Sequence, residues 1–135
     1  MRIMGLDIGD KRIGVALSDP GGVLASPYTI IERSNEEQDV AIVIDIITRN
    51  GVGEIIVGMP RLMDGTVGQQ GAKVEAFVGR LRGYTQTPIK LRDERLSTVS
   101  AKRLMQSSGR KSRKKIRYDA AAAAVILQAY LEERY

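Results

Sequence analysis

The chain has 135 residues, a formal net charge of +5, and neither cysteine nor histidine. Its length suits a single domain, residues 1–135, with a hydrophobic core of its own. Without cysteine there are no disulfides, thiolate metal sites or cysteine nucleophiles, and without histidine the usual general base and zinc ligand are missing. Catalysis would therefore have to use carboxylates, hydroxyls, lysine or a metal ion.

The hydropathy pattern gives no sign of a membrane protein. No segment approaches the roughly 20 apolar residues that a membrane-spanning helix needs. Asp7 interrupts the first apolar run too early for a signal peptide. These features predict a cytoplasmic protein without a membrane partner, and they leave open whether it is a monomer or a homodimer.

The first predicted element is a β-hairpin, in which two apolar runs flank a polar turn at residues 9–12. Asp7 interrupts the first run, where a carboxylate is costly unless it is paired, hydrogen-bonded or bound to a metal. Gly5 and Gly9 lie on either side, and their lack of side chains predicts room for a cation and a phosphate backbone. The alternative is that Asp7 hydrogen-bonds local backbone at a strand end.

The next elements complete an antiparallel meander and begin an alternation of helices and strands. A turn at residues 19–22 precedes a strand at residues 23–31, which Pro27 interrupts. A helix follows, with a capping box formed by Ser34 and Glu37 and an end at residues 50–51. The meander predicts that the first three strands are neighbours in one sheet.

A short apolar strand at residues 54–58 comes next, and its β-branched residues predict burial on both faces. A turn at residues 64–65 leads to a second helix, with a possible capping box formed by Thr66 and Gln69 and an end at Gly83. This segment is the first strand–helix unit that follows the meander.

A fifth strand at residues 88–94 ends in acidic residues. A third helix is predicted from residue 97 or 98 to 109, and a fourth from Asp119, as its N-cap, to about Glu133. A meander followed by strand–helix alternation predicts an α/β fold with a mixed sheet flanked by helices.

Three acidic positions lie at element edges or in apolar surroundings. They are Asp7, the pair Asp93 and Glu94, and Asp119. If they converge, they form an all-oxygen site, which favours Mg²⁺ or Mn²⁺. Two such ions can activate a water and stabilise the leaving oxygen in phosphodiester hydrolysis.

Each of these acids has a structural alternative. Asp119 can simply cap a helix, where the helix dipole favours an acid. Asp93 and Glu94 can pair with Arg92 and Arg95 at the surface. Strand alternation puts Asp93 and Glu94 on opposite faces, and the sequence does not say which face holds the site.

The positive charge is concentrated in one segment, here called the basic segment. It consists of Arg110, Lys111, Arg113, Lys114, Lys115 and Arg117. Of the 21 basic residues these are six, and the other 15 are outnumbered by the 16 acidic residues. The basic segment therefore predicts a polyanion partner that it contacts through phosphates, with a solvated loop as the alternative. Arg61, in the loop after the fourth strand, is a weaker candidate for a phosphate contact.

Four motifs together resemble the YqgF-type family of Holliday junction resolvase-like proteins, which are assigned as pre-16S rRNA nucleases. The motifs are residues 6–19, Gly58-Met59-Pro60 with Asp64-Gly65-Thr66, residues 93–98, and residues 119–128. The resemblance implies a ribonuclease H-like fold with a five-stranded mixed sheet, three strands in an antiparallel meander and two parallel. It also implies an acidic metal site formed by Asp7, Glu94 (chosen over Asp93) and Asp119. Arg61 departs from the apolar residue expected in relatives.

The resemblance implies a metal-dependent endonuclease that processes the 5′ end of pre-16S rRNA, with the ribosomal subunit as a further partner. Two alternatives remain: a Holliday junction resolvase-like DNA endonuclease, and a nucleic-acid-binding ribosome-assembly factor without turnover. An ATP-handling protein is a third hypothesis, because an Asp-x-Gly hairpin also occurs in actin-like ATPases. Such proteins have two domains of this kind, and this chain has the length of one and no Walker-type loop.

Overall fold

The computed structural model describes residues 1–93 and 114–134, and in the second range it describes side chains from residue 120 onward. The strands are β1 (Arg2–Ile8), β2 (Arg12–Ser18), β3 (Ala25–Glu32), β4 (Val52–Met59) and β5 (Ile89–Asp93). The helices within these ranges are α1 (Glu36–Asn50), α2 (Gln69–Arg82) and α3 (Lys114–Glu133).

The five strands form one mixed sheet in the order β3-β2-β1-β4-β5. The pairs β1–β2 and β2–β3 are antiparallel, whereas β1–β4 and β4–β5 are parallel. The prediction of a meander followed by two parallel strands is confirmed. Strand β1, which carries Asp7, is the central strand.

One face of the sheet packs against α1 and α2. Met4, Leu6 and Ile8 of β1 lie in a buried core with side chains from both helices, among them Val43 and Phe77. The alternation of side chains along a strand assigns every second residue of β1 to this face.

The other face packs against α3. Ile3 and Ile56 from the sheet lie in a second buried cluster with Ala123 and Leu127 of α3. The apolar first half of this helix is thus buried against the sheet, as its composition predicts. The remaining positions of β1, including Gly5 and Asp7, belong to this α3 face.

Helix α1 begins one residue later than its capping box predicts. The side chain of Asn35 accepts a hydrogen bond from the Gln38 backbone N–H (2.9 Å), so Asn35 is the N-cap. The backbone N–H of Ser34 instead donates to Oδ1 of the buried Asp39 (3.2 Å). Asparagine caps as well as serine does, so the prediction of Ser34 was wrong through an adjacent competitor.

Helix α1 ends, as predicted, at Gly51, which adopts a left-handed conformation with φ of 61°. We expect Gly51→Ala to lower the free energy of unfolding by about 1 kcal/mol, because an L side chain disfavours this conformation. Gly79, exposed inside α2, has open space around an added Cβ. Gly79→Ala should therefore raise stability by about 0.5–1 kcal/mol. Urea unfolding of both variants tests the opposite signs, and equal effects would contradict this account.

Helix α2 begins at Gln69 with Gly68 as its N-cap, and no side chain caps it. Thr66 was predicted to do so, but its backbone N–H and hydroxyl bond instead to Oδ1 of Asp64 (3.0 and 2.7 Å). The capping-box prediction was therefore wrong, because the turn before the helix binds the threonine. The predicted end of α2 at Gly83 is confirmed.

Strand β3 starts two residues later than predicted. Its register with β2 shifts where Ala16 pairs with Pro27 and Val15 with Thr29, so Tyr28 is an extra residue there. Proline has no N–H for the ladder, which makes such an irregularity at an edge strand favourable. The predicted interruption at Pro27 thus takes the form of a local bulge.

Helix α3 begins at Lys114, so Asp119 lies inside the helix and is not its N-cap. The capping alternative for Asp119 is therefore wrong. The helix predicted from residue 97 or 98 to 109 lies outside the described residues, as does Glu94. Across residues 1–93 and 114–134, no helix is both long and apolar enough to span a bilayer.

Candidate active site at the end of the central strand

Asp7 lies near the C-terminal end of β1 on the α3 face. It is half-buried, whereas Leu6 and Ile8 on either side are buried on the opposite face. A carboxylate at this place is carried by the strand that has neighbours on both sides. The central strand therefore holds Asp7 where both its neighbours and α3 can approach it.

The residues beside Asp7 on both neighbouring strands are glycines. Gly14 is its register partner on β2. On β4, Val57 pairs with Leu6, so Gly58 is the next residue alongside Asp7. Both glycines are buried. Paired residues share a face of a sheet, so neither neighbouring strand contributes a side chain next to the Asp7 carboxylate. The sequence analysis did not recognise these two glycines, because only the register brings them to Asp7.

Gly5 and Gly9 do not have the role predicted for them. A Cβ on Gly5 would lie 2.8 Å from the backbone oxygen of Ala123 and 2.8 Å from Leu127 Cβ. Helix α3 therefore occupies the space that was predicted to admit a cation. The Gly9 backbone N–H donates to Arg12 O (2.9 Å), and a Cβ there would lie 2.8 Å from the same oxygen. Gly9 serves the hairpin turn.

Helix α3 runs across the sheet in the direction opposite to β1. Ala123 and Leu127 contact Gly5, whereas Arg134 lies with Ile3 beside Gly22. Later residues of α3 are thus closer to the start of β1. The N-terminal part of the helix accordingly extends towards the end of β1, where Asp7 lies.

Asp93 lies on the face opposite to Asp7. Its register partner is Met59, which belongs to the core under α1 and α2. Arg92 pairs with Gly58 and so lies on the α3 face, where its guanidinium forms an ion pair with Glu133. The structure therefore separates Asp93 from Asp7 by the thickness of the sheet.

Of the three predicted metal ligands, only Asp7 is described with its side chain. Glu94 lies outside the described residues, and Asp119 is described as a helix position only. Within the described side chains, no three acidic residues form a group that could hold a metal ion. In the basic segment, residues 114–117 belong to α3, whereas residues 110–113 lie outside the described part.

The other acids of this region have structural partners. Asp19 accepts hydrogen bonds from the backbone N–H groups of Leu24 and Val23 (2.9 and 2.7 Å), which hold its pKa below the usual value. The prediction that Asp19 serves a turn is confirmed. Asp10 instead forms an exposed ion pair with Lys73 on α2 (3.2 Å).

Arg33 braces the hairpin turn that follows Asp7, a role that the sequence analysis missed. Its Nη1 donates to Gly9 O (2.9 Å), its Nε donates to the buried Asp39 (3.1 Å), and its guanidinium lies over the Phe77 ring. Its backbone N–H bonds to Lys11 O (2.9 Å). No spacing in the sequence indicates these contacts, which join three separate segments.

A family model described as "RuvX: Holliday junction resolvase" matches residues 1–133 of the chain. Two similar proteins are each named "Putative pre-16S rRNA nuclease". The one from Desulforamulus reducens is 51% identical over 133 residues, covering 98% of this chain and 97% of the relative. The one from Thermoanaerobacter pseudethanolicus is 48% identical, covering 99% and 98%.

Solved structures of low sequence identity share the fold. One is Thermus thermophilus RuvC in complex with a Holliday junction substrate, with a TM-score of 0.65, 15% identity, and coverage of 99% of this chain and 95% of that chain. Another is the Fowlpox virus resolvase in complex with substrate Holliday junction DNA, with a TM-score of 0.61, 16% identity, and 99% coverage of both chains. The sheet and helices therefore have the ribonuclease H-like arrangement that the sequence analysis expected.

Proposed function

Because this chain belongs to the RuvX family of Holliday junction resolvases, we propose that it is a metal-dependent endonuclease that acts on structured nucleic acid. The 5′ end of pre-16S rRNA is the substrate we propose first, on the basis of the relatives' names. A four-way DNA junction is the second candidate, on the basis of the family description. Residues 1–135 would act as one nuclease domain.

The position of Asp7 is the observation that carries this proposal. Its carboxylate lies on the central strand and is only half-buried, and the positions beside it on β2 and β4 are Gly14 and Gly58. Two flanking positions without side chains leave space at this point for a divalent ion and a phosphate. A structural aspartate would need no such space.

Helix geometry supports Asp119 as the second acid. Position 119 precedes Ala123 by one helical turn, about 6 Å along the axis. Ala123 contacts Gly5, and Asp7 lies two residues, about 7 Å, beyond Gly5 in the direction in which the start of α3 extends. We therefore propose that Asp119 and Asp7 are neighbours across the gap between α3 and the sheet.

The face of Asp93 supports Glu94 as the third acid. Asp93 shares a face with Met59, on the side of the sheet away from Asp7. If alternation continues one residue beyond β5, position 94 falls on the face of Asp7. This favours Glu94 over Asp93.

Such a donor set fits Mg²⁺ or Mn²⁺, because carboxylate oxygens suit these ions and the chain has no histidine or cysteine. When bound, a divalent ion would supply a water of lowered pKa and a positive charge beside the leaving oxygen. Asp7, Glu94 and Asp119 would hold and orient it. The basic segment would hold the substrate phosphates close to these acids, because it leads directly into Asp119.

Charge reversal of Lys114 and Lys115 tests the role of the basic segment. We expect Lys114→Glu with Lys115→Glu to weaken nucleic-acid binding and to flatten the dependence of log K on log[salt] by about 1–2. Both residues lie in the first turn of α3, where acidic residues suit the helix dipole, so folding should be unaffected.

The matched control reverses two cations on α1 and α2. Arg49→Glu with Arg80→Glu changes the net charge by the same amount at exposed, ion-paired positions. Filter binding across a salt series should show little effect of this control. An equal loss in both double variants would mean that net charge alone, and not the basic segment, drives binding.

A cleavage assay tests the proposed activity itself. The purified protein is incubated with a 5′ precursor of 16S rRNA, a four-way DNA junction and linear duplexes of matched sequence. We expect site-specific cuts in Mg²⁺ or Mn²⁺ and none in EDTA, with activity restored by excess metal. Binding without cleavage at any concentration of either metal would instead favour a non-catalytic assembly factor.

A further inference from the structure

The loop between β4 and α2 exposes an apolar side chain close to the proposed site. Met63 is 96% exposed, more than any other large hydrophobic side chain among the described residues, and Leu62 beside it is 54% exposed. A single exposed methionine is not unusual by itself. The order and the position of this loop are what give the exposure significance.

Internal hydrogen bonds order the loop. The backbone N–H of Leu62 donates to Thr66 O (2.9 Å), and that of Gly65 donates to Leu62 O (2.8 Å). Gly65 has a φ of 89°, which closes the turn in a conformation suited to glycine. Arg61 Nη1 also bonds to Gly65 O (3.2 Å). Residues 62–66 are thus a preformed turn with Met63 near its tip.

The loop leaves the sheet at the same edge as Asp7. Strands β1 and β4 are parallel with Leu6 level with Val57, so the end of β4 at Met59 is level with Ile8. Four residues span from Met59 to Met63, a reach of at most about 14 Å. The Gln70 amide, just inside α2, bonds to Ile8 O (3.4 Å) and joins the other end of the loop to β1. A substrate bound at Asp7 therefore passes close to Met63.

We propose that the turn at residues 62–66 recognises an unstacked nucleobase next to the cleavage position, with Met63 packing against the face of the base and Arg61 contacting a nearby phosphate. The proposal rests on the proposed nuclease function. It defines the substrate as nucleic acid with a break in stacking near the cut, such as a branch, a bulge or the end of a stem.

An apolar tip beside a cation is the chemistry that a base and its phosphate require. Methionine and leucine side chains act as wedges between base steps in proteins that distort nucleic acids. A preformed turn also reduces the ordering entropy that binding would otherwise cost. A protein partner could cover the same side chains, but a substrate at the neighbouring strand end makes the nucleobase the better fit.

The experiment measures base unstacking, not cleavage. A four-way DNA junction, an RNA stem with an internal loop, and linear duplexes each carry 2-aminopurine, whose fluorescence rises on unstacking. All variants are made in full-length protein that carries Asp7→Asn, so that no probe is cut. Met63→Ala should weaken binding to the branched or looped probe by about tenfold and abolish the fluorescence rise, leaving linear-duplex binding unchanged. Met63→Leu should retain both signals.

Leu24→Ala is the matched control, because Leu24 is 65% exposed in the segment before β3, at the opposite edge of the sheet. It should change nothing. Unchanged affinity and fluorescence in Met63→Ala, or an equal loss on branched and linear probes, would overturn the proposal and leave a protein partner as the candidate for the tip. Cleavage by the wild-type chain is scored separately, so unstacking without cleavage would refute the nuclease and keep this inference, whereas cleavage without unstacking would do the reverse.

Discussion

Asp7→Asn is expected to reduce phosphodiester cleavage on the order of 1,000-fold or more while the protein stays folded. Removing the carboxylate that anchors the ions removes several kcal/mol of transition-state stabilisation, and each 1.36 kcal/mol is a factor of ten in rate. Asparagine has nearly the same shape as aspartate, so the packing between Gly14 and Gly58 is retained. The measurement is single-turnover cleavage of the best substrate in Mg²⁺.

The stability of the same variant distinguishes a metal ligand from a structural acid. Without metal, a cluster of carboxylates repels itself, so Asp7→Asn should have a Tm equal to or above that of the wild type. Mg²⁺ should raise the Tm of the wild type more than that of the variant, because a ligand that binds only the folded state stabilises it. A large loss of Tm in the absence of metal would indicate that Asp7 satisfies buried backbone groups instead.

Asp10→Asn is the control for this prediction. Asp10 belongs to the same hairpin, but it is exposed and its ion pair with Lys73 is of the kind that contributes little to stability. Cleavage should remain within about twofold of the wild type, since exposed surface substitutions away from a site have small effects. If Asp7→Asn cuts as well as Asp10→Asn, the catalytic site lies elsewhere.

Gly5→Ala is expected to lower the free energy of unfolding by about 2–3 kcal/mol, towards the upper end of overpacking penalties. The new methyl group would lie 2.8 Å from the backbone oxygen of Ala123 and from Leu127 Cβ, neither of which can rotate away. Helix α3 would have to move off the sheet. Since Asp119 belongs to that helix, we expect cleavage to fall as well.

Urea denaturation measures this effect, and Gly79→Ala provides the same chemical change at a position without a clash. A destabilisation of this size corresponds to a fall in Tm of roughly 10 °C in a protein of this length. Neutral behaviour of Gly5→Ala would mean that α3 adjusts its position over β1 easily. The proposed proximity of Asp119 to Asp7 would then lose its support.

Local patterns predicted most of the elements because their causes are local. The apolar runs around residues 9–12 and the glycine at position 51 depend on neighbouring residues, and the structure confirms both. The errors were made where two adjacent residues could do the same job, as with Ser34 and Asn35. A cap is decided by which side chain reaches the free N–H groups, and that depends on the direction in which the chain enters the helix.

By themselves, composition and order along the chain determined that catalysis needs carboxylates or a metal, that the sheet is mixed, and that Asp7 is out of place in its strand. Only the tertiary structure decided which residues share a face with Asp7. Alternation divides each strand into two sets of side chains, but it does not say which set of one strand meets which set of another. The register and the packing of α3 make that choice: they bring Gly14 and Gly58 beside Asp7, fill the space over Gly5, and put Asp93 on the other side of the sheet.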